Sequence, residues 1–272
     1  MPILNKDMTL CISLSARPSN NGTRFHNYLY DALGLNYVYK AFAPTDLGQA
    51  IAGVRGLGIR GCAVSMPYKE DVIALVDEMD ASALAIDSVN TVVNTDGVLR
   101  AYNTDYVAVE RLLRENAVPA SSRVLVQGAG GMAKAVVAAL RNNGFDAVTV
   151  LARNAGRGAA LAEKYGFEHV TSVPEGATYD VLINVTPLGM AGDAADVVAF
   201  DDSLIAGAAV VFDVVAMPAR TPLIRRAREL GKTVITGDQV AAIQAEEQFV
   251  LYTGVRPARE LVAEAAAFSR AQ

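Results

Sequence analysis

Two side chains in this sequence stand where proton transfer could be arranged, and one loop stands where a phosphate could be held. Lys69 closes Ser65-Met66-Pro67-Tyr68-Lys69, at the point where a short apolar run gives way to a helical pattern. A lysine in a first helical turn is opposed by the helix dipole, so its position there invites a functional reading, while a surface lysine is the plainer one. Asp105 closes Asn103-Thr104-Asp105, ahead of a helix expected from Tyr106. Aspartate is also a preferred N-cap, worth about 1 kcal/mol, which accounts for it without any chemistry.

The loop is Gly128-Ala129-Gly130-Gly131-Met132-Ala133, between the apolar run Val124 to Gln127 and a helix expected over Ala133 to Arg141. This is the G-x-G-x-x-A form of the dinucleotide fingerprint. The first glycine permits a tight turn, the second lets backbone approach a pyrophosphate, and the alanine keeps the helix close to the sheet. The second strand ends in Leu151-Ala152-Arg153-Asn154 with Arg157 beyond, and lacks the acidic residue that accepts hydrogen bonds from a ribose 2′-hydroxyl. A guanidinium suits a 2′-phosphate, so the expected cofactor is NADP, with NAD possible and a solvated strand-end arginine as the alternative.

The bulk properties narrow the remaining classes. A formal net charge of -5 disfavours a nucleic-acid surface. Cys11 and Cys62 lie in apolar stretches and read as buried, reduced thiols, which suits the cytoplasm. The N-terminus, Met1-Pro2-Ile3-Leu4-Asn5-Lys6-Asp7, shows no signal-peptide pattern, and no apolar run approaches the roughly 20 residues of a bilayer span. His26 and His169 are the only histidines, and with scattered carboxylates they suggest no metal site.

Compact β-rich runs alternate with helical patterns along the chain. Strands are expected over Thr9 to Ile12, Tyr37 to Phe42 and Gly61 to Ser65, with helices over Phe25 to Leu33, Asp46 to Leu57 and Pro67 to about Met79. Val89 to Asn94 and Val98 to Ala101 flank Thr95-Asp96-Gly97 as a hairpin. Arg123 to Gln127, Ala147 to Leu151, Val181 to Asn184, Ala209 to Val214 and Thr233 to Ile235 form a second series of strands, and strands joined by helices imply a parallel sheet. The fold class is therefore α/β in two domains. Residues 1–104 form a substrate and catalytic domain, 105–237 a Rossmann-type doubly wound NADP-binding domain, and 238–272 helices that return to the first. The active site is expected in a cleft between the two.

Several ordered motifs resemble the shikimate dehydrogenase family along nearly the whole chain. Ala63 to Lys69 resembles N-x-[TS]-x-P-[FYH]-K except at Ala63. Ser88-Val89-Asn90-Thr91 is similar to A-x-N-T, and Asn103-Thr104-Asp105 to N-T-D. Asn184-Val185-Thr186-Pro187-Leu188-Gly189-Met190 resembles N-A-T-P-x-G-M, and Gly237 and Gln244 match a late glycine and glutamine. The resemblance implies reversible hydride transfer between NADP(H) and shikimate or a related hydroxylated ring carboxylate, in aromatic amino acid biosynthesis. It makes Lys69 and Asp105 a catalytic pair acting as one coupled unit, with the ammonium stabilising and protonating a developing alkoxide. Ser65, Asn90 and Gln244 would contact ring hydroxyls, while Gly128, Gly130, Gly131, Met132, Arg153, Thr186 and Gly237 would hold the cofactor.

The match departs from the family in the substrate pocket. The family's carboxylate-holding S-x-S pair aligns with Asn20 and Gly22, whereas Ser13-Leu14-Ser15 belongs to the first strand. Asn20 can still donate its amide to a carboxylate, with Arg17 nearby, but Gly22 offers only backbone. Ala63 replaces an asparagine and Ala216 a tyrosine. A divergent branch with poorer activity on shikimate is expected. The alternatives are a dehydrogenase of quinate or another ring hydroxy acid, and a non-catalytic nicotinamide-binding redox sensor. The expected partner is a small ring carboxylate, with no nucleic acid or membrane, and the protein a monomer or homodimer.

Overall fold

The computed structural model describes residues 4–271; Met1, Pro2 and Ile3 of the N-terminal reading lie outside the described residues. The chain forms two compact units, one built from residues up to Thr104 and from Ala242 onward, the other from Asp105 to Ala241.

The first unit carries β1 (Thr9–Leu14), β2 (Tyr37–Phe42), β3 (Gly61–Val64), β4 (Glu78–Met79), β5 (Thr91–Thr95) and β6 (Val98–Tyr102) in the order β2-β1-β3-β5-β6-β4. β1 pairs in parallel with β2 and β3, but β5 is antiparallel to both β3 and β6. The sheet is mixed because β5 and β6 form the expected hairpin, whose Asp96 and Gly97 take φ 52° and 89°, as a primed turn requires. Helices α1 (Asn20–Ala32), α9 (Gly237–Thr253) and α10 (Arg259–Arg270) supply residues to one core cluster with Cys11, Tyr39, Ala63 and Val93. α2 (Leu47–Gly56) and α3 (Ala81–Leu84) supply another with Ile12, Cys62 and Val92. Gly61 lies against the ring of Tyr252, which a Cβ there would overlap. Both cysteines are free and buried, and burial pushes the Cys11 thiol up to about 11.

The helix expected from Pro67 to Met79 does not form. A turn through Lys69 leads instead into a short 3-10 helix, Asp71–Leu75, and then into β4. The backbone amides of Asp77 and Asp80 donate to Leu99 and Ala101, and the Asp77 carboxylate accepts from Leu99 N at 2.7 Å. Pairing along β6 thus overrides the local helical pattern. α1 starts five residues earlier than Phe25, with Ser19 in extended backbone at its entrance.

His26 of α1 is buried among aromatic rings and stacks on Tyr39, with centroids 4.4 Å apart. Desolvation lowers its pKa to about 3, opposed by a hydrogen bond with Gln248. The unfolded chain takes up this proton near 6.5, while the folded chain resists until about 3. Its contribution is therefore fully present above 6.5 and is lost as pH falls towards 3, with an amplitude on the order of 5 kcal/mol. Urea unfolding at about pH 7 and about pH 4 should show a markedly smaller acid-induced loss in His26→Leu than in the parent. Equal losses would remove His26 from the account.

The second unit carries β7 (Val124–Gln127), β8 (Val148–Leu151), β9 (Glu168–Val170), β10 (Val181–Asn184), β11 (Val210–Asp213) and β12 (Thr233–Thr236). All are parallel, in the order β9-β8-β7-β10-β11-β12, which is the doubly wound Rossmann order. α4 (Thr104–Glu115), α5 (Gly131–Asn142), α6 (Ala155–Tyr165), α7 (Asp202–Gly207) and α8 (Pro222–Glu229) occur along this part of the chain. β9, only three residues long, has no counterpart among the expected strands.

Candidate active site

In the second unit the strand order reverses between β7 and β10, and the chain crosses the sheet in opposite directions from there. Such a switch point opens a crevice beyond the carboxyl ends of the strands. Gln127 and Asn184 are paired at those ends, so the Gly128 loop and the Val185–Thr186 turn leave the sheet side by side. Gly128 has φ 126°, and a Cβ on it would stand 2.8 Å from Val185 Cγ2 and 3.1 Å from Thr186 Cγ2. Only glycine fits that backbone and that spacing. α5 begins at Gly131, two residues before the sequence placed it, with Gly130 as N-cap and no side-chain cap bond. Ala133 is fully buried in the first turn, as close packing of helix on sheet requires. An uncapped first turn, a glycine cradle and a switch point together fit a dinucleotide pyrophosphate.

Asn184 shapes the neighbouring turn from within. Its Oδ1 accepts from Thr186 N at 3.1 Å and Thr186 Oγ1 at 2.6 Å, and its Nδ2 donates to Asp213 at 3.0 Å. The Thr186 hydroxyl, expected on the cofactor, thus donates to the Asn184 side chain at the end of β10. Asp213 also accepts from Thr221 Oγ1 at 2.6 Å and from Val215 N at 3.1 Å. Burial raises its carboxyl above the ordinary value, and those donors oppose the rise. Gly237, the first residue of α9, lies so close to the backbone of Val214 and Val215 that a Cβ would overlap their carbonyls. Arg153 and Arg157 are exposed beyond the end of β8, and Asn154 between them caps α6 by accepting from Arg157 N.

The first unit gathers Ser65, Lys69 and Asn90 around the end of β3. Ser65 N donates to Leu14 O, Val64 N to Asn90 O, and Val89 N to Lys69 O at 2.8 Å. Lys69 is partly buried and lies in the turn, not in a first helical turn, so the dipole argument does not apply to it. Asn90 is buried, and its Oδ1 accepts from Thr104 N at 2.8 Å and Thr91 Oγ1 at 2.8 Å. Its Nδ2 donates to Thr104 Oγ1 at 3.0 Å. Asn90 therefore meets the first orphan donor of α4, and that helix starts at Thr104. Asp105 sits inside the first turn, so the N-cap reading is corrected: its backbone is helical, and its carboxylate is a favourable charge at the positive end of the dipole.

Gln248, which the sequence did not single out, donates to Asn90 O and to Thr91 Oγ1 at 3.0 Å. Its spacing of four from Gln244 puts both on one face of α9 and was the available signal. Gln244 itself is partly buried. Ser13 is a β1 residue in register with Ala63, which in turn pairs with Thr91. Asn20 opens α1 and is exposed, while Gly22 faces the Tyr39 phenol, whose oxygen would be 3.5 Å from an added Cβ. Among the described residues no His, Cys, Asp and Glu side chains cluster as a metal site, and no helix is long and apolar enough to cross a membrane.

Residues 19–92 match the family described as shikimate dehydrogenase substrate binding domain, and residues 111–186 the one described as shikimate / quinate 5-dehydrogenase. A shikimate dehydrogenase-like protein of Haemophilus influenzae is 54% identical over 269 residues, 98% of this chain and 99% of its own. An NADP-dependent shikimate dehydrogenase of Pyrococcus abyssi is 38% identical over 87% of this chain and 89% of its own. The shikimate 5-dehydrogenase of Thermus thermophilus, solved in complex with NADP(H) and shikimate, superposes with a TM-score of 0.84 at 30% identity, over 96% of this chain and 100% of that one.

Proposed function

We propose, from the premise that the chain belongs to the shikimate dehydrogenase family, that it interconverts a hydroxylated ring carboxylate and its ketone with NADP(H) as the redox partner. The observation that carries this reading is the Gly128 loop at the strand-order reversal of a six-stranded parallel sheet. Gly128, Gly130, Gly131 and Met132 would hold the pyrophosphate, Arg153 the 2′-phosphate, and the Thr186 and Gly237 turns the remainder. When bound, NADP supplies the hydride donor or acceptor.

This chain's own groups handle the proton. Lys69 would give its proton to the substrate oxygen in reduction and take one back in oxidation, with Asp105 acting with it as a single acid–base unit. Ser65, Asn90 and Gln244 would orient the ring hydroxyls and Asn20 the carboxylate. Asn90 would do so while holding the entrance of α4. Gly22, Ala63 and Ala216 each remove a polar partner, and a pocket that loses hydrogen-bonding groups loses discrimination quickly. The preferred substrate would accordingly be a relative of shikimate, quinate among them, with shikimate itself turned over poorly. Turnover of NADP against a panel of ring hydroxy acids tests the reading. NADP binding with no turnover on any of them would favour a redox sensor.

Cofactor preference gives a separate expectation. NADP should bind more tightly than NAD, and Arg153→Ala should weaken NADP by roughly tenfold with NAD unchanged. Calorimetric titration of both cofactors checks it, and equal affinities in the parent protein would count against it.

A further inference from the structure

The segment bearing Arg153 and Arg157 is held on both flanks by one side chain. His169, in β9, directs Nε2 to the carbonyl oxygen of Ala152 at 3.2 Å. A carbonyl can only accept, so Nε2 carries the hydrogen and donates. On the other flank the same imidazole fills the space over Gly158 in α6, where an added Cβ would overlap Nε2 and Cδ2. The backbone bonds here run from Ala152 N to Val170 O and from Gly158 N to Asn154 O, so neither crosses between the two flanks. The Ala152 methyl also packs over Gly158, 2.8 Å from the added Cβ, and the imidazole adds a side-chain hydrogen bond to the Ala152 carbonyl. Gly158 is helical and buried, a place where alanine would ordinarily favour the helix, which makes the space for this ring the physical reason for glycine.

We propose that His169 is a positioning residue that sets selectivity for the 2′-phosphate, by fixing the turn from which Arg153 and Arg157 extend. It rests on the NADP reading above. A guanidinium recognises a phosphate through directed, paired hydrogen bonds, so its contribution depends on how rigidly its backbone is held. NAD has no 2′-phosphate and gains nothing from that rigidity. Its pyrophosphate would rest on the Gly128 loop, which leaves β7 and opens α5 and is tied to this segment by the backbone bond from Gly128 N to Leu151 O at 2.9 Å, a bond that does not involve the imidazole.

The test compares NADP and NAD dissociation constants in the parent, His169→Phe and His169→Gln, with thermal unfolding followed in each. Phenylalanine keeps a ring over Gly158 but cannot donate, whereas glutamine keeps an N–H donor of similar reach. Loss of one hydrogen bond corresponds to about a three- to tenfold weakening. NADP affinity should fall by that factor in His169→Phe with NAD affinity unchanged, and His169→Gln should recover most of it. A fall in melting temperature with the ratio of NADP to NAD affinity intact in both variants would overturn the proposal and leave His169 as packing. An equal weakening of both cofactors would overturn it as well. A parent protein that binds NADP and NAD equally would instead overturn the NADP reading, a result visible before any variant is made.

Discussion

Lys69→Ala should lower turnover of the best ring hydroxy acid by roughly 10²–10⁴-fold, with NADP affinity little changed. The loss would fall on turnover because the ammonium is asked to act on the oxygen as charge develops there, and it adds little to ground-state binding. Asp105→Asn should do comparable damage. Its position inside the first turn of α4 sets the structural cost apart from the chemical one. Asparagine forfeits the charge–dipole attraction, about 0.3–1 kcal/mol, which shifts a melting curve slightly but leaves the helix in place. If the two groups serve one proton, the double variant should fall little below the worse single variant. Steady-state rates of the three proteins decide this. Multiplicative losses would separate the residues into independent roles, and an Asp105→Asn protein of undiminished turnover would reduce Asp105 to a helix-dipole residue.

Gly237→Ala should be among the most destabilising single-methyl changes available in this chain. The added Cβ would overlap backbone carbonyls of Val214 and Val215, which cannot rotate aside as a side chain would. Val215 is further held by the hydrogen bond that its N–H donates to the buried Asp213 carboxylate at 3.1 Å. Overpacking against rigid atoms costs about 3 kcal/mol or more, a drop of roughly 6–12 °C in melting temperature for a protein of this size. The cofactor role proposed for the Gly237 turn, taken by itself, makes a different forecast: normal stability with NADP binding lost. Urea unfolding alongside NADP titration distinguishes them, and an unchanged unfolding midpoint would return the glycine to the cofactor.

What the sequence made legible was local chemistry. The Gly128 loop announced itself because a strand, a glycine-rich turn and a helix follow each other within a dozen residues, although Gly128 alone has a conformation that demands glycine. The β5–β6 hairpin did so through Asp96-Gly97, whose positive φ angles are a property of the residues themselves. Lys69 was placed in a helix because nothing nearby reports that Asp77 and Asp80 pair with β6. Asp105 reads as an N-cap because nothing in its local sequence reports that Asn90, fourteen residues before Thr104, provides the bond that starts α4 at Thr104. Gln248 and His169 are ordinary polar residues in sequence. Their significance comes from Thr91, Ala152 and Gly158, and only the fold supplies those neighbours.

The interrupted path of the first unit also sets a timetable for synthesis. The second unit is one continuous stretch, so every strand of its sheet has left the ribosome before Ala242 appears. The first unit, begun earlier, must wait: the face of its sheet that carries Gly61 is covered only in part, by α1, until Tyr252 arrives, 192 residues after Arg60, whose guanidinium bonds the Tyr252 carbonyl. Domains that mature as units during translation usually do so from the N-terminus. Here the first unit can close only after all of the second has been made, so the residues up to Thr104 are the part that lacks its final packing during translation.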